Sequence, residues 1–257
     1  TSSKPHSIDA YSMRSLAGDA TAVARALSDD PVVIVGHDWG APIAWNTALL
    51  HADVIRAVAG LSVPYMPASL GPASTLRDIY KRRFFYQTYF QAEGVAEAEL
   101  EADVRLSLRK IYFALGGEAE LDTWIAEKPE DANLLDSLTN PAPFPAWLTE
   151  ADLDVYTEAF LGSGFRGPLN RYRAGGIDRD DVGQELIGKK VVQPACFIAG
   201  ARDAVRHFIP GGDLYAQPEA GCEDLRSSTI IDGAGHWVQQ EAPVETNEAL
   251  LAFLRSL

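Results

Sequence analysis

One short segment restricts the possible folds of this chain more than any other. The apolar run 31–35 is followed by the pentapeptide Gly-His-Asp-Trp-Gly at 36–40, and a stretch rich in small residues comes next. A polar residue bracketed by glycines between a buried strand and a helix is typical of a nucleophile elbow, a strained turn that exposes its central side chain above a sheet. The pentapeptide alone also fits an ordinary turn. In an elbow the exposed residue would be Asp38, whose carboxylate can attack carbon directly.

The amino-acid composition limits the kinds of partner that this chain is expected to bind. The chain has 257 residues, 47% of them apolar, which is enough for one core with an inserted lobe. Its net charge is −14, and an acidic surface repels phosphate backbones and anionic lipid. No apolar run approaches the roughly 18 residues of a membrane-spanning helix. We therefore expect neither nucleic acid nor a membrane as a partner.

The two cysteines carry little chemistry of their own. Cys196 and Cys222 lack the spacing of a metal site or of a disulfide framework. We expect no metal, no cofactor and no disulfide. A reducing compartment, the cytoplasm, fits this cysteine usage best.

Hydrophobic periodicity predicts an α/β chain with a mostly parallel sheet. Apolar runs predict strands and amphipathic segments predict helices. The predicted strands are 32–35, 54–63, 191–199 and 228–232, and the predicted flanking helices are 8–28, 41–50 and 244–257. We expect two of these helices to bury an apolar face. The expected face of the first helix is Leu16, Ala20, Val23, Ala24 and Leu27, and that of the last is Leu250, Leu251, Leu254 and Leu257.

A central region interrupts the α/β pattern. Residues 65–173 contain helical patterns, at 104–115 and roughly 149–161, but no convincing parallel strand. The simplest arrangement is an α/β core formed by 1–64 and 174–257, with 65–173 inserted as a helical cap.

Three polar side chains come after three of the predicted strands. Asp38 follows the first strand, Asp203 the third and His236 the fourth. Ligands of open α/β sheets bind beyond the carboxyl ends of the strands, so these residues are expected near one another. The chain order of nucleophile, acid and histidine also matches hydrolases that carry a nucleophile elbow. His236 would take a proton from water, and Asp203 would orient its ring.

Four segments together resemble the epoxide hydrolases of the α/β-hydrolase fold, both bacterial enzymes and the hydrolase domain of mammalian soluble ones. The segments are Gly-His-Asp-Trp-Gly-Ala-Pro at 36–42, Tyr-Gln-Thr-Tyr-Phe-Gln at 86–91, Ser-Gly-Phe-Arg-Gly-Pro-Leu-Asn-Arg-Tyr-Arg at 163–173 and Gly-His-Trp at 235–237. The resemblance implies a small hydrophobic epoxide as substrate and an ester on Asp38 as intermediate. It implies that Tyr86 and Tyr172 hydrogen-bond the epoxide oxygen and that the Trp39 N–H stabilises an oxyanion.

The chain departs from this family at its beginning. The family supplies a second oxyanion donor from a His-Gly loop after an earlier strand, and no such loop precedes Asp38. Segment 1–5 resembles the stretch that leads into the helix before the elbow strand. We expect the sequence to be an incomplete record or a fragment, because the strand at 32–35 would otherwise be an apolar sheet edge.

Two other functions stay open from the sequence. A haloalkane dehalogenase would use the same Asp38 and His236, but halide leaves without a proton and would not need the two tyrosines. A non-catalytic ligand-binding member of the fold is the second alternative, because folds are reused. The natural epoxide and the oligomeric state, a homodimer included, are also open.

Overall fold

The computed structural model describes residues 2–67, 80, 83–120, 123, 124 and 128–257. These residues contain a four-stranded parallel sheet whose strands lie in the order of the chain. The strands are β1 (Val32–His37), β2 (Ile55–Leu61), β3 (Ala195–Gly200) and β4 (Leu225–Ile231). All four predicted strands are present. Strands β2 and β3 are both shorter than predicted. At the start of the predicted third strand, Val191 forms only an isolated bridge with Cys222.

In the described residues, helices flank the sheet and also occur between β2 and β3 in the chain. They are α1 (Met13–Leu27), α2 (Gly40–Leu50), α3 (Tyr86–Tyr89), α4 (Val95–Ala102), α5 (Val104–Leu115), α6 (Glu150–Ser163), α7 (Arg166–Arg173), α8 (Gly175–Asp180), α9 (Val182–Glu185), α10 (Val238–Glu241) and α11 (Pro243–Arg255). Three short 3₁₀ helices lie at Ile8–Tyr11, Ala204–His207 and Pro218–Gly221. The predicted first helix is therefore shorter, with a 3₁₀ turn before it.

The small residues of α2 allow this helix to pack closely on the sheet. Ala41, Ala44 and Ala48 are almost completely buried. Trp45 is buried too and lies so close to β2 that a Cβ at Gly60 would overlap its indole. The indole Nε1 donates to Val63 O at 3.0 Å, so the polar atom of this large ring is satisfied inside the core.

The predicted buried faces of α1 and α11 are wrong for their large exposed side chains and correct only for residues that are partly buried, such as Ala24 and Leu250. Helix α1 buries Met13, Ala17 and Thr21, whereas Val23 is 59% and Leu27 is 81% exposed. The small side chains at 17 and 21 allow α1 to lie against α2, and this close approach outweighs the larger apolar face. Three residues of the predicted face, Ala20, Val23 and Ala24, line a surface groove beside β1. Residues 32–35 of β1 line the same groove.

Helix α11 also buries a face that differs from its prediction. It buries Thr246 and Phe253, while Leu251, Leu254 and Leu257 are exposed. Leu250 is partly buried against the cluster that contains Phe253. The single large ring of Phe253 therefore decides which face of α11 meets the sheet.

Helices α3–α7 supply the described part of the predicted cap. The predicted helices at 104–115 and 149–161 correspond to α5 and α6. Segments 68–79, 81–82, 121–122 and 125–127 of the proposed cap lie outside the described residues. The described part of 65–173 contains helices and no strand, and its division from the core as a domain stays an interpretation.

Candidate active site

The segment after β1 forms a strained turn at Asp38. This residue has a φ of 50°, a left-handed conformation that non-glycine residues rarely adopt. A Cβ at Gly36 would overlap the carbonyl oxygen of Gly40, so the close approach of the two backbones requires glycine at 36. The Trp39 N–H is close enough to the carboxylate of Asp38 to help lower its pKa. The turn thus has the geometry expected of a nucleophile elbow.

The three residues predicted at the strand ends meet in one hydrogen-bonded row. His236 Nε2 lies 3.2 Å from Asp38 Oδ1, and His236 Nδ1 lies 3.1 Å from Asp203 Oδ2. Asp203 is completely buried, and its Oδ1 also accepts from the Val205 N–H at 2.9 Å. Asp38 is different, because 41% of its side chain is accessible, on the side that faces an apolar cavity.

Electrostatics couple the members of this row. Burial alone would lower the pKa of His236, but the charges and hydrogen bonds of Asp203 and Asp38 raise it to about 10. Burial alone would raise the pKa of Asp38, whereas the hydrogen bond and charge of His236, with the Trp39 N–H, bring it below its ordinary value. At neutral pH the row therefore contains an imidazolium between two carboxylates.

Three further residues hold this row, and the sequence did not single them out for it. The Ser62 hydroxyl and His37 Nε2 both donate to the carbonyl oxygen of His236, at 2.9 and 2.7 Å. The Tyr215 hydroxyl lies 2.8 Å from Asp203 Oδ2 and 2.6 Å from Ser62 O. Ser62 has a φ of 66° at the end of β2. No local sequence pattern indicates these contacts, because all of them except the one between Tyr215 and Asp203 join segments far apart in the chain.

His37 has a supporting position rather than a reactive one. Burial lowers its pKa, and the nearby His236 lowers it further, so the ring is neutral and its Nε2–H is free to donate to the His236 carbonyl.

Both predicted tyrosines line the same cavity as Asp38 and His236. Tyr86 begins α3 and Tyr172 lies on α7. Their rings meet edge to face at 5.8 Å between centroids, and the Trp39 ring contacts Tyr172 in the same way at 5.3 Å. Burial raises the pKa of both phenols. Each phenol is thus protonated and able to donate at neutral pH.

The hydrogen bonding of Tyr86 leaves its proton available. Gln87 Nε2 donates to the Tyr86 hydroxyl at 2.9 Å. A phenol has one proton, and an amide NH₂ cannot accept it, so the Tyr86 O–H is directed elsewhere.

A cavity of about 210 Å³ lies between the row and the tyrosines. Its wall is mainly aliphatic and aromatic, which favours an apolar ligand of small size. The lining residues are Asp38, Tyr86, Phe90, Leu100, Leu108, Ile111, Tyr112, Leu115, Trp124, Leu134, Phe160, Phe165, Pro168, Leu169, Tyr172, Val205, Phe208, His236 and Trp237. The polar groups in this lining include the Asp38 carboxylate, the His236 imidazole and the two phenols.

The structure brings together all six residues that the sequence nominated. Asp38, Asp203 and His236 form the row, the Trp39 N–H faces the carboxylate of Asp38, and the two tyrosines close the cavity. Their catalytic roles stay predictions.

Metal clusters and membrane-spanning helices are both absent from the described residues. Within those ranges, no three His, Cys, Asp or Glu side chains are grouped so that they could hold a metal ion. None of the helices in the described part of the chain is long and apolar enough to span a membrane.

Known proteins share this arrangement of elements. Residues 1–243 match the family described as alpha/beta hydrolase fold. Epoxide hydrolase A of Mycobacterium tuberculosis is 40% identical over 261 residues, which cover 100% of this chain and 79% of that protein. Bifunctional epoxide hydrolase 2 of Sus scrofa is 34% identical over 258 residues, which cover 99% of this chain and 44% of that protein.

Solved structures give the same result in three dimensions. The epoxide hydrolase from an endophytic Streptomyces has a TM-score of 0.91 and 43% identity to this chain. The match covers 99% of this chain and 77% of that one. The structure of epoxide hydrolase A from Mycobacterium thermoresistibile has a TM-score of 0.88 at 38% identity, covering 98% and 78%.

Proposed function

The chain belongs to the epoxide hydrolases of the α/β-hydrolase fold, and we propose that it converts a small hydrophobic epoxide into a vicinal diol through an ester on Asp38. The observation that carries this proposal is the placement of one carboxylate and two phenols around a single apolar cavity, with His236 behind the carboxylate. An epoxide needs both ends of this arrangement, because its carbon must be attacked while its oxygen is protonated.

In the first step Asp38 attacks one epoxide carbon. The carbon–oxygen bond of the ring breaks, and an ester forms between Asp38 and the substrate. The released oxygen becomes an alkoxide, which Tyr86 and Tyr172 stabilise by hydrogen bonds and which takes a proton from one of them. Because the pKa of each phenol lies above its ordinary value, the resulting tyrosinate is a strong base and recovers a proton quickly.

The second step is hydrolysis of the ester. Esterification removes the negative charge of Asp38, one of the groups that raise the pKa of His236. His236 then gives up its proton, which can replace the one lost by the tyrosine. The neutral imidazole takes a proton from water, and the hydroxide attacks the carbonyl carbon of Asp38. The Trp39 N–H stabilises the oxyanion, and collapse of the tetrahedral intermediate releases the diol and restores the carboxylate.

The two phenols also separate this proposal from a haloalkane dehalogenase. A halide ion leaves without a proton, so buried protonated tyrosines at the cavity would have no task. Incubating the chain with 1-bromobutane and with styrene oxide, and measuring bromide and diol in parallel, distinguishes the reactions. We expect diol without bromide.

Trapping the intermediate tests the proposed ester. In His236→Gln the ester should form and persist, because its hydrolysis lacks a base. Mass spectrometry should then find the mass of styrene oxide on the peptide that contains Asp38. An adduct on another residue, or none in a variant that still binds substrate, would overturn the ester route.

We further propose a cytoplasmic location, which is supported by the two cysteines, both free and buried. Size-exclusion chromatography with light scattering distinguishes a monomer from a homodimer.

A further inference from the structure

The loop that carries His236 is fastened by one carboxylate outside the catalytic row. Glu241 ends α10, five residues after His236. Its Oε2 accepts from the Gly235 N–H at 2.9 Å, and its Oε1 accepts from the Trp237 N–H at 2.9 Å. The backbone on both sides of His236 is therefore held by a single side chain.

The same carboxylate reaches the proposed cap. Glu241 Oε2 also accepts from the Gly117 N–H at 2.7 Å, and Gly117 follows the end of α5. Close packing reinforces this contact, since a Cβ at Gly235 would overlap the backbone of Gly116 and Gly117. Glu241 thus joins the loop of His236 to the chain just beyond a cap helix.

Two other residues of the same loop, His236 and Trp237, also contact α5. The His236 N–H donates to Leu115 O at 2.9 Å. The Trp237 ring stacks on Tyr112 with centroids 4.2 Å apart, and its Nε1 donates to Tyr112 O at 2.9 Å. The described loop of His236 is therefore positioned by α5 as well as by the sheet.

We propose that Glu241 is a positioning residue for His236 and that it acts on ester hydrolysis rather than on epoxide opening. The inference rests on the proposed epoxide hydrolase function. Epoxide opening needs Asp38 and the tyrosines but no base, whereas hydrolysis needs His236 within reach of water. Without Glu241, three N–H groups lose their acceptor, and the loop loses its link to Gly117 and keeps only the contacts of His236 and Trp237 with α5. The imidazole then departs from its working geometry while Asp38, on a different strand end, keeps its own.

Stopped-flow tryptophan fluorescence with enzyme in excess over styrene oxide separates the two steps, because Trp39 adjoins Asp38. In Glu241→Ala we expect ester hydrolysis to slow about 10- to 100-fold, with ester formation within about twofold of the unmodified chain. Glu241→Gln keeps the volume and one acceptor oxygen, so we expect a smaller loss, about 3- to 10-fold. Glu245→Gln removes a charge from an exposed position on α11 and should change neither rate.

The outcomes separate this inference from the proposed function. Hydrolysis at the unmodified rate in both Glu241 variants, or an equal slowing of both steps, would show that Glu241 does not position His236. If Glu241→Ala fails to fold, the isosteric Glu241→Gln alone decides. Failure of the unmodified chain to accumulate or turn over an ester would instead overturn the function itself.

Discussion

The two sides of the cavity are built by different kinds of interaction. On the core side, Asp38, His236 and Asp203 lie at strand ends and are held by hydrogen bonds of about 3 Å to one another. On the cap side, Tyr86 and Tyr172 lie on helices and are positioned mainly by aromatic edges, with one amide hydrogen bond to Tyr86. Directed polar contacts fix the group proposed to form the covalent bond, whereas packing places the groups proposed to stabilise the released oxygen.

This difference predicts unequal consequences of substitution. Loss of a core group removes a bond-forming or proton-transferring atom that has no replacement. Loss of one cap hydroxyl leaves the other phenol in place. Substitutions should therefore range in effect from the loss of the nucleophile, the most severe, to the loss of one supporting hydroxyl, the mildest.

Asp38→Ala should abolish turnover of styrene oxide, with a loss of about 10⁴-fold or more in kcat, because no other group can form the ester. Diol formation measured by chromatography checks this. Asp29→Ala, which removes an exposed carboxylate before β1, is the matched control and should keep full activity. Substantial residual turnover in Asp38→Ala would contradict the expectation that loss of a core group is more severe than loss of one tyrosine hydroxyl.

His236 should make the folded state less stable as the pH rises. Its pKa is raised from 6.5 to about 10 by folding, so the folded state binds this proton more tightly than the unfolded state. The resulting stabilisation is complete below pH 6.5 and is lost progressively towards pH 10, by a few kcal/mol. His37 titrates below this window because its pKa is lowered.

Urea unfolding between about pH 6 and 10 measures this dependence. The free energy of unfolding should fall more steeply with pH in the unmodified chain than in His236→Gln, which lacks the titrating ring. Parallel pH profiles for the two proteins would refute the imidazolium between two carboxylates.

Tyr86→Phe and Tyr172→Phe should each slow ester formation about 10- to 100-fold and leave hydrolysis of the formed ester nearly unchanged. Single-turnover fluorescence resolves the two rates. Tyr89→Phe is the matched control on the same short helix, since the Tyr89 hydroxyl donates to Glu99 instead. A loss in Tyr89→Phe equal to that in Tyr86→Phe would show that packing of the helix, and not the proton, matters.

Tyr215→Phe should produce the smallest effect, since its hydroxyl touches the row only through Asp203. We expect the free energy of unfolding to fall by about 1–3 kcal/mol, because the hydroxyl partner of Asp203 and of Ser62 O is lost inside the core. Turnover should fall only severalfold. Denaturant unfolding and steady-state kinetics test both values, and unchanged stability would contradict the assigned hydrogen bonds.

The sequence predicted the core side well because parallel strands constrain the residues that come after them. Once 32–35 was identified as a buried strand, the carboxyl ends of the sheet placed Asp38, Asp203 and His236 at one edge. The tyrosines needed the family resemblance, since nothing in their local pattern separates Tyr86 from Tyr89. Glu241 and Tyr215 were missed because each also bonds to a segment far away in the chain, Glu241 to Gly117 and Tyr215 to Ser62, which no local pattern indicates.

Hydrophobic periodicity also failed to predict which helix faces are buried. Helix α1 contains an apolar stripe that includes Val23 and Leu27, yet the structure buries Ala17 and Thr21. Periodicity counts apolar residues, whereas packing against α2 also rewards small side chains that permit close approach. Such preferences depend on the neighbouring helix and cannot be read from one segment.

The ester on Asp38 is tested most directly by a single turnover in H₂¹⁸O with enzyme in excess over epoxide. Water attacks the carboxyl carbon in the proposed route, so the first diol takes its new oxygen from Asp38 and contains no ¹⁸O. Label should enter the diol only in later turnovers, once the carboxylate itself carries ¹⁸O. Full labelling of the diol in the first turnover would mean that water attacks the epoxide directly, and would contradict the account.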